Sequence, residues 1–239
     1  MYTLNQNGDR EYTYYSYDPH GNVEWLLQEI QGFSRTSVAY EYDLISNKVL
    51  QAIFNQGRKD QFFHRYSYDD DNRITQAETS RDGIVWDRDA SYAYYLHGPL
   101  KRTSFGEDRV QGMDYAYTIQ GWLKGINSPD LKASEDLGGD GTNATVGFPQ
   151  DQFGMSLGYF NGDYTASNAF ASSSYTMPGV KNLYNGNISS WSDKIGYVSP
   201  GQYSNTLTGN RYTYDKLNRI RKSEFGTYKA GWSMQQGGS

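Results

Sequence analysis

Short tyrosine-rich runs alternate with turn residues along this chain. Residues 15–28, YSYDPHGNVEWLLQ, place two tyrosines two positions apart, then an acid, a proline and a glycine, and then a second apolar run. Side chains at i and i+2 lie on one face of a β-strand, where flat rings suit a half-buried surface. Asp18 can accept a hydrogen bond from the backbone two residues on, and Pro19 has the φ that a type I turn needs. The pattern predicts a strand, a tight turn and a second strand.

The same pattern recurs at residues 15, 40, 66, 92, 115 and 212. The residue that follows the second tyrosine of each copy marks its position: Asp18, Asp43, Asp69, Tyr95, Thr118 and Asp215. The first five copies are therefore separated by 25, 26, 26 and 23 residues. A period in this range is typical of a repeat architecture.

Glycine or asparagine closes the predicted turn in five of the six copies. Three residues after each marker the chain has Gly21, Ser46, Asn72, Gly98, Gly121 and Asn218. These residue types tolerate the left-handed conformation that ends a type I turn with a bulge. The return strand then starts near Val23, Lys48, Ile74, Leu100, Leu123 and Ile220. The sequence thus predicts structural turn roles for Asp18, Gly21, Asp43, Asp69, Asn72, Gly98, Gly121, Asp215 and Asn218.

Composition agrees with an all-β fold and argues against several functions. The 239 residues include 23 tyrosines, 26 glycines and 6 prolines, which favours strands and turns. A net charge of −5, with both signs scattered, argues against binding to nucleic acid or to an anionic membrane. There is no cysteine, no apolar run long enough to span a membrane and no secretion signal at the start of the sequence.

The repeat period is lost between about residues 127 and 182. We therefore expect hairpins over residues 1–126 and 183–232, a loop-rich insertion over 127–182, and a flexible tail over 233–239. A short helix is predicted within SPDLKASEDL, because Ser128 can cap it, Pro129 suits its first position and Gly138 can end it.

Candidate chemistry is sparse. The three histidines occupy repeat positions and predict no metal set. The acid-rich stretches DDDN (69–72) and GGDGTN (138–143) invite a calcium interpretation, but turn structure explains both better. No nucleophile elbow, phosphate loop or cofactor motif is present. Carboxylate pairs for glycoside chemistry depend on spatial separation, and the most regular acids are explained by turns. We expect no enzyme activity, no cofactor and no metal.

Five tryptophans support two interpretations. Interleaved with tyrosines in a short repeat, they resemble aromatic platforms that bind glycans or choline by stacking. Alternatively the rings pack between neighbouring hairpins, which the spacing of the tyrosines favours. The ligand-stacking interpretation assigns that role to Trp25, Trp86, Trp122 and Trp191.

The motif YxYDxxGN followed by an apolar residue resembles the YD repeat of the Rhs family, which also includes shell subunits of insecticidal toxin complexes and the teneurins. The resemblance covers about residues 12–126 and 183–225, and residues 15–22 and 212–218 are near-complete motifs. Tyr95 and Thr118 depart from it, since they replace the acid, and Ser46 replaces the glycine. The phrases GWLKGINSPDL (121–131) and FGMSLGYFNGDY (153–164) are most similar to long Rhs-type proteins of Bacteroidetes-like bacteria.

This resemblance implies a curved or spiralling β-ribbon that forms part of a shell around a toxin or another polypeptide. It implies a fragment of a larger exported protein, located outside the cell or at its surface. The self-cleavage region that long Rhs proteins carry has no match here. Partners would be parent-chain shell segments or toxin cargo, with self-association through strand edges. The alternative is a secreted aromatic-rich module that binds carbohydrate or cell-wall ligands.

Overall fold

The computed structural model describes residues 2–4, 10–142, 147–164, 177–199, 202–203, 206–228 and 232–234. Its regular structure is almost entirely β, and every strand pairing with a described register is antiparallel. The prediction of an all-β fold of antiparallel hairpins is confirmed. No helix in this part of the chain has the length and apolar character needed to cross a membrane.

The strands follow one another along the chain with short connections in the repeat region. Their bounds are β1 Tyr2–Leu4, β2 Arg10–Tyr17, β3 Val23–Ile30, β4 Thr36–Tyr42, β5 Val49–Phe54, β6 Phe62–Tyr68, β7 Ile74–Ser80, β8 Asp87–Tyr94, β9 Leu100–Phe105, β10 Gln111–Tyr117, β11 Leu123–Ile126, β12 Phe153–Gly158, β13 Ser190–Ile195, β14 Tyr197–Ser199, β15 Gln202–Tyr203, β16 Leu207–Tyr214, β17 Ile220–Tyr228 and β18 Trp232–Met234.

The chain divides into two compact units. The first comprises Met1–Tyr92 and Phe105–Glu107, and the second comprises Ala93–Ser104 and Asp108–Ser239. The division runs through β8 and β9. This division follows from how compactly the residues pack. The boundaries at residues 126, 182 and 232 are instead placed where the repeat pattern changes, and they stay predictions.

In the first unit each strand pairs with its neighbours in sequence, from β1 to β7. Each YD-repeat turn of this unit lies beside a shift of register at the second tyrosine of the repeat. In the first hairpin Ser16 pairs with Trp25, whereas Tyr17 pairs with Val23. The same shift occurs at Tyr42 and Tyr68. The extra residue is a β-bulge, which bends the strand and increases its twist.

In the second unit the sheet follows the order β9, β10, β11, β12, β13, β16, β17, β18, and β14 pairs with β15 in a separate two-stranded sheet. The predicted insertion supplies β12, which pairs with β11 on one side and β13 on the other. The predicted tail is also partly regular, because Ser233 and Met234 at its start lie in β18.

The short helix predicted within residues 128–137 is present as a 3₁₀ helix of three residues. The structure has a single 3₁₀ turn there, Ala133–Glu135, preceded by Lys132, which makes no side-chain cap. Leu131 has a φ of 62°, a left-handed conformation that a right-handed helix cannot include. The Ser128 hydroxyl donates to Asp130 Oδ1 at 3.0 Å and accepts from the Lys132 N–H at 3.3 Å.

The two units have different interiors. The first buries few apolar side chains, among them Ile53, Phe63 and Ala90. The second buries apolar side chains together with many polar ones, both on its strands and within the insertion. Its buried apolar residues are Ala116, Leu131, Leu157, Tyr159, Met177 and Leu207. Buried polar groups require partners, and those partners define the candidate site described below.

Asn55 follows β5 in the left-handed conformation, with φ of 46°. The residue is 1% exposed. Its Oδ1 accepts a hydrogen bond from the Ser37 N–H at 2.8 Å, and its own N–H donates to the Ser37 carbonyl at 2.8 Å. The residue therefore continues the β4–β5 pairing beyond the end of the strand.

We expect Asn55→Ala to lower the free energy of unfolding by about 2–4 kcal/mol, because it leaves the Ser37 N–H without its acceptor and strains a left-handed position. The matched control is Asn47→Ala, which is also left-handed, with φ of 55°, but exposed. That variant should lose only about 1 kcal/mol. Urea unfolding followed by tryptophan fluorescence measures both, and equal losses would contradict this role for Asn55.

Candidate functional site

The repeat turns are held by the acid that follows the second tyrosine. Asp18 Oδ1 accepts hydrogen bonds from the backbone N–H groups of His20 and Asn22, both at 2.9 Å. The side-chain hydrogen bond from Asn22 is the largest effect that lowers the pKa of Asp18. Asp215 Oδ1 accepts in the same way from Leu217 and Arg219, at 2.8 and 3.0 Å.

The other two acids of the motif do the same with small differences. Asp69 accepts from the Arg73 backbone N–H at 2.9 Å and from Arg73 Nε at 2.8 Å. Asp43 Oδ2 accepts from both the N–H and the hydroxyl of Ser46 at 2.6 Å. Thr118, which replaces the acid, accepts from the Trp122 N–H through its hydroxyl at 3.2 Å.

The turn-closing positions have positive φ in five copies. The angles are 90° at Gly21, 68° at Asn72, 111° at Gly98, 82° at Gly121 and 59° at Asn218. In the second copy Asn47, not Ser46, is left-handed, and its N–H donates to the Asp43 carbonyl at 2.9 Å. That turn is one residue longer, which frees Ser46 to bind the aspartate.

The second tyrosine of a repeat connects one hairpin to the next. The Tyr42 hydroxyl donates to the Val23 carbonyl at 2.9 Å, and the Tyr68 hydroxyl donates to the Val49 carbonyl at 2.7 Å. Val23 and Val49 are the first residues of β3 and β5, the return strands of the preceding hairpins. We call this contact the tyrosine bridge.

The second unit contains the same kind of contact. The Tyr214 hydroxyl donates to the Ile188 carbonyl at 2.8 Å. Tyr159, within the insertion, donates to the carbonyl of Leu123, the first residue of β11, at 2.8 Å. Burial raises the pKa of both tyrosines. The Tyr95 hydroxyl, in contrast, donates to the carbonyl of a residue later in the chain, Tyr115, at 2.8 Å.

Three of the four tryptophans proposed for ligand stacking have ring contacts or a buried nitrogen within their own unit. The Arg65 guanidinium lies 4.0 Å from the centroid of the Trp86 ring. The Trp122 ring lies 5.1 Å from the Tyr159 ring. Trp191 Nε1 is buried, with no hydrogen-bond partner among the described residues. Trp25 is 41% exposed.

A buried charge cluster joins the insertion to β9 and β10. The Arg102 guanidinium contacts Asp114, and it donates to both carboxylate oxygens of Asp140 at 2.7 and 2.9 Å. Asp140 is 0% exposed. The Phe148 ring covers the guanidinium, with its centroid 4.4 Å from Arg102 Cζ.

Two glycines make room for this cluster. A Cβ on Gly112 would overlap the Arg102 guanidinium and the Asp140 carboxylate. A Cβ on Gly138 would overlap Arg102 and Asp114. The stretch GGDGTN, interpreted from sequence as a turn, therefore also brings Asp140 to Arg102. Asn143 of that stretch lies outside the described residues.

Burial dominates the electrostatics of these acids. It raises the pKa of Asp114 to about 6, against the lowering effect of Arg102. It also raises the pKa of Asp140. Carboxylate oxygens of Asp114, Asp136 and Asp140 lie within 4.8 Å of one another, a spacing that a metal ion could bridge. Arg102 contacts two of the three, so the chain itself supplies a cation at this position.

A second buried ion pair joins the two phrases quoted for the family resemblance. Lys124 Nζ, on β11, donates to both oxygens of Asp163 at 2.9 Å. Asp163 Oδ2 also accepts from the Tyr159 N–H at 2.9 Å. Burial lowers the pKa of Lys124. This pair was not predicted from the sequence. Two signals for it were present: an isolated lysine beside a glycine in a strand, and an aspartate after an Asn-Gly turn.

No protein-family model and no curated protein matches the sequence. Solved structures do resemble the fold. The crystal structure of TcdB2-TccC3 without its hypervariable C-terminal region matches with a TM-score of 0.51 and 14% identity, over 93% of this chain and 12% of that one. The Photorhabdus luminescens Tc holotoxin pore, with the mutation TccC3-D651A, gives a TM-score of 0.45 and 12% identity over 95% and 11%.

A porin-like protein from Bacteroides uniformis gives a TM-score of 0.33 and 9% identity, over 98% of this chain and 94% of that one. The first match shows that the chain shares a fold with part of the TcdB2-TccC3 structure. The chain spans 12% of the length of that match.

We expect Tyr68→Phe to lower the free energy of unfolding by about 1 kcal/mol, because it removes one hydrogen bond and leaves the ring in place. Tyr66→Phe is the matched control. It removes a hydroxyl group that lies on the same strand and that makes no hydrogen bond within the described residues. Its effect should stay within about 0.5 kcal/mol. Urea unfolding measures both, and indistinguishable variants would contradict the tyrosine bridge.

We expect Lys124→Met to cost about 3–5 kcal/mol, because it leaves the Asp163 carboxylate buried without its cation. The double variant Lys124→Met with Asp163→Asn should recover most of that loss, because asparagine is neutral and still accepts from the Tyr159 N–H. Chemical denaturation of the two single variants and the double variant tests this coupling. A double variant that is as unstable as the sum of the single losses would refute it.

Proposed function

We propose that this chain is a wall segment of a YD-repeat shell that encloses or presents a toxin or another polypeptide. The observation that carries the proposal is the match to TcdB2-TccC3 over 93% of the chain. That structure is described as lacking a hypervariable C-terminal region. We also propose that the chain belongs to the Rhs family and comes from a Bacteroidetes-like bacterium.

The tyrosine bridge gives the proposal a physical basis. Strand pairing satisfies the backbone within each hairpin, and the bridge adds a bond from one hairpin to the return strand of the preceding one. A wall built in this way has few backbone groups open to local unfolding or to pairing with other chains. Enclosing a polypeptide requires this kind of resistance.

The proposed role is not enzymatic. The described carboxylates whose pKa values are raised, Asp114, Asp140 and Asp151, are buried, which leaves them poorly placed to reach a substrate. We further propose that the chain acts as part of a larger exported protein, secreted or at the cell surface. Its partners would be other shell segments or the cargo.

The glycan-binding alternative depends on Trp25, the most exposed of the four tryptophans. The Tyr15 and Tyr17 rings stack at 6.3 Å on an adjacent strand and are also exposed. Saturable quenching of tryptophan fluorescence by cell-wall sugars, lost in Trp25→Ala and kept in Trp86→Ala, would support this alternative.

For the shell segment we expect association that increases with concentration, because a partial wall leaves strand edges without their neighbours. Light scattering coupled to size-exclusion chromatography should give a mass above the 27.2 kDa of one chain. A monodisperse monomer at high concentration would contradict the proposal.

A further inference from the structure

A cavity of about 150 Å³ lies beside the Lys124–Asp163 ion pair. Its lining includes the buried residues Lys124, Asp163 and Ser189. It also includes Asn161 and Asn182, which are exposed. The buried side chains therefore form the inner end of the cavity, and the two amides form its mouth. We call this cavity, which belongs to the second unit, the lysine pocket.

The inner end of the lysine pocket has hydrogen-bonding groups that the described residues leave unused. Lys124 Nζ carries three N–H groups and donates to the two oxygens of Asp163, both at 2.9 Å, so one N–H is left. Asp163 Oδ1 accepts from Lys124 alone and keeps a free lone pair. The Ser189 hydroxyl donates to the Gly158 carbonyl at 2.8 Å and can still accept. Because buried polar groups are normally paired, these groups fit a ligand that both donates and accepts.

The electrostatics of the lysine pocket favour a neutral ligand. The charge of Lys124 is already balanced by Asp163. A charged ligand would add an unpaired charge beside this buried ion pair, which is costly. A hydroxyl group donates and accepts without carrying a charge, so it pairs with the inner end at no such cost.

The size and the walls of the lysine pocket suit one sugar ring. A cavity of about 150 Å³ can hold benzene, which is also a six-membered ring. Tyr159, Phe160 and Val180 add apolar surface to the lining, and the centroid of the Phe160 ring lies 4.7 Å from that of Tyr184. A sugar has hydroxyl groups at its rim and C–H groups on its faces. It can therefore meet the polar inner end and the apolar wall at the same time.

A peptide fits this position less well. Extended peptides commonly bind by adding a strand to an open sheet edge. The strand that leads into Tyr159, β12, pairs with β11 on one side and with β13 on the other. Both edges of β12 already carry a partner strand, so the pocket favours a sugar over an added strand.

We propose that the lysine pocket binds one neutral sugar residue, whose hydroxyl groups pair with Lys124 and Asp163 and whose ring packs against Phe160. This site differs from the exposed surface around Trp25, which belongs to the first unit. The proposal goes beyond the shell role and does not depend on it.

The test is saturation-transfer NMR on the whole chain with methyl α-glucoside, methyl α-mannoside and N-acetylglucosamine as probes. We expect at least one of these sugars to bind. Val180→Phe fills the pocket and leaves Lys124 and Asp163 in place, so it should abolish binding. Val110→Phe is the matched control, because Val110 is 64% exposed and lies in the same unit outside the pocket.

A second variant, Asn161→Ala, is used if Val180→Phe does not fold. The Asn161 side chain makes no hydrogen bond within the described residues, so its loss should leave the fold intact. Removal of this amide from the mouth should weaken sugar binding about fivefold, as expected for one hydrogen bond. Unchanged affinity in this variant would count against the proposal.

Sugar binding that is lost in Val180→Phe and kept in Val110→Phe and Trp25→Ala would support the lysine pocket. Failure of all three sugars to bind would overturn the proposal. So would a signal that persists in Val180→Phe, because the sugar would then bind elsewhere. Acetate and N-acetylglycine amide serve as comparison probes. Tighter binding of either one would identify the ligand as an anion or a peptide and would overturn the assignment to a sugar.

Discussion

Neighbouring hairpins of this fold are joined by a hydrogen bond from the second tyrosine of a repeat to the first carbonyl of the preceding return strand, as at Tyr42 and Tyr68. Isolated two-stranded hairpins are marginal in water, so each one needs its neighbour. The bulge at Tyr42 and Tyr68 lies beside the turn, where strand pairing is interrupted. The bridge stabilises the hairpin at that point, which explains why a ring with a hydroxyl occurs there.

The second unit adds a different constraint. Its insertion covers strands that carry charged side chains, and each buried charge must find a partner. Arg102 forms ion pairs with Asp114 and Asp140, and Lys124 forms one with Asp163. These pairs contribute geometric specificity more than net stability, because desolvation offsets much of their attraction. The insertion is therefore held in one position on the sheet.

The hairpins were predictable because their signals are local. Tyrosine spacing, the turn acid and the left-handed residue all lie within ten positions of sequence. The shift from Ser46 to Asn47 could not be predicted, since it depends on a turn longer by one residue. The charge cluster was also missed, because Asp140 and Arg102 are 38 positions apart and loop acids usually face solvent.

The Lys124–Asp163 pair and the repeat hairpins form at different stages of synthesis. Each repeat hairpin closes over a few residues and can pair with the one before it as soon as its own two strands have left the ribosome. The ion pair of Lys124, in contrast, cannot form until Asp163, 39 positions later, has been synthesised. Contacts of short sequence separation form quickly, and distant ones carry a larger entropic cost. During synthesis the repeat can therefore grow hairpin by hairpin, whereas the Lys124–Asp163 ion pair forms only after β12 and its following turn have been made.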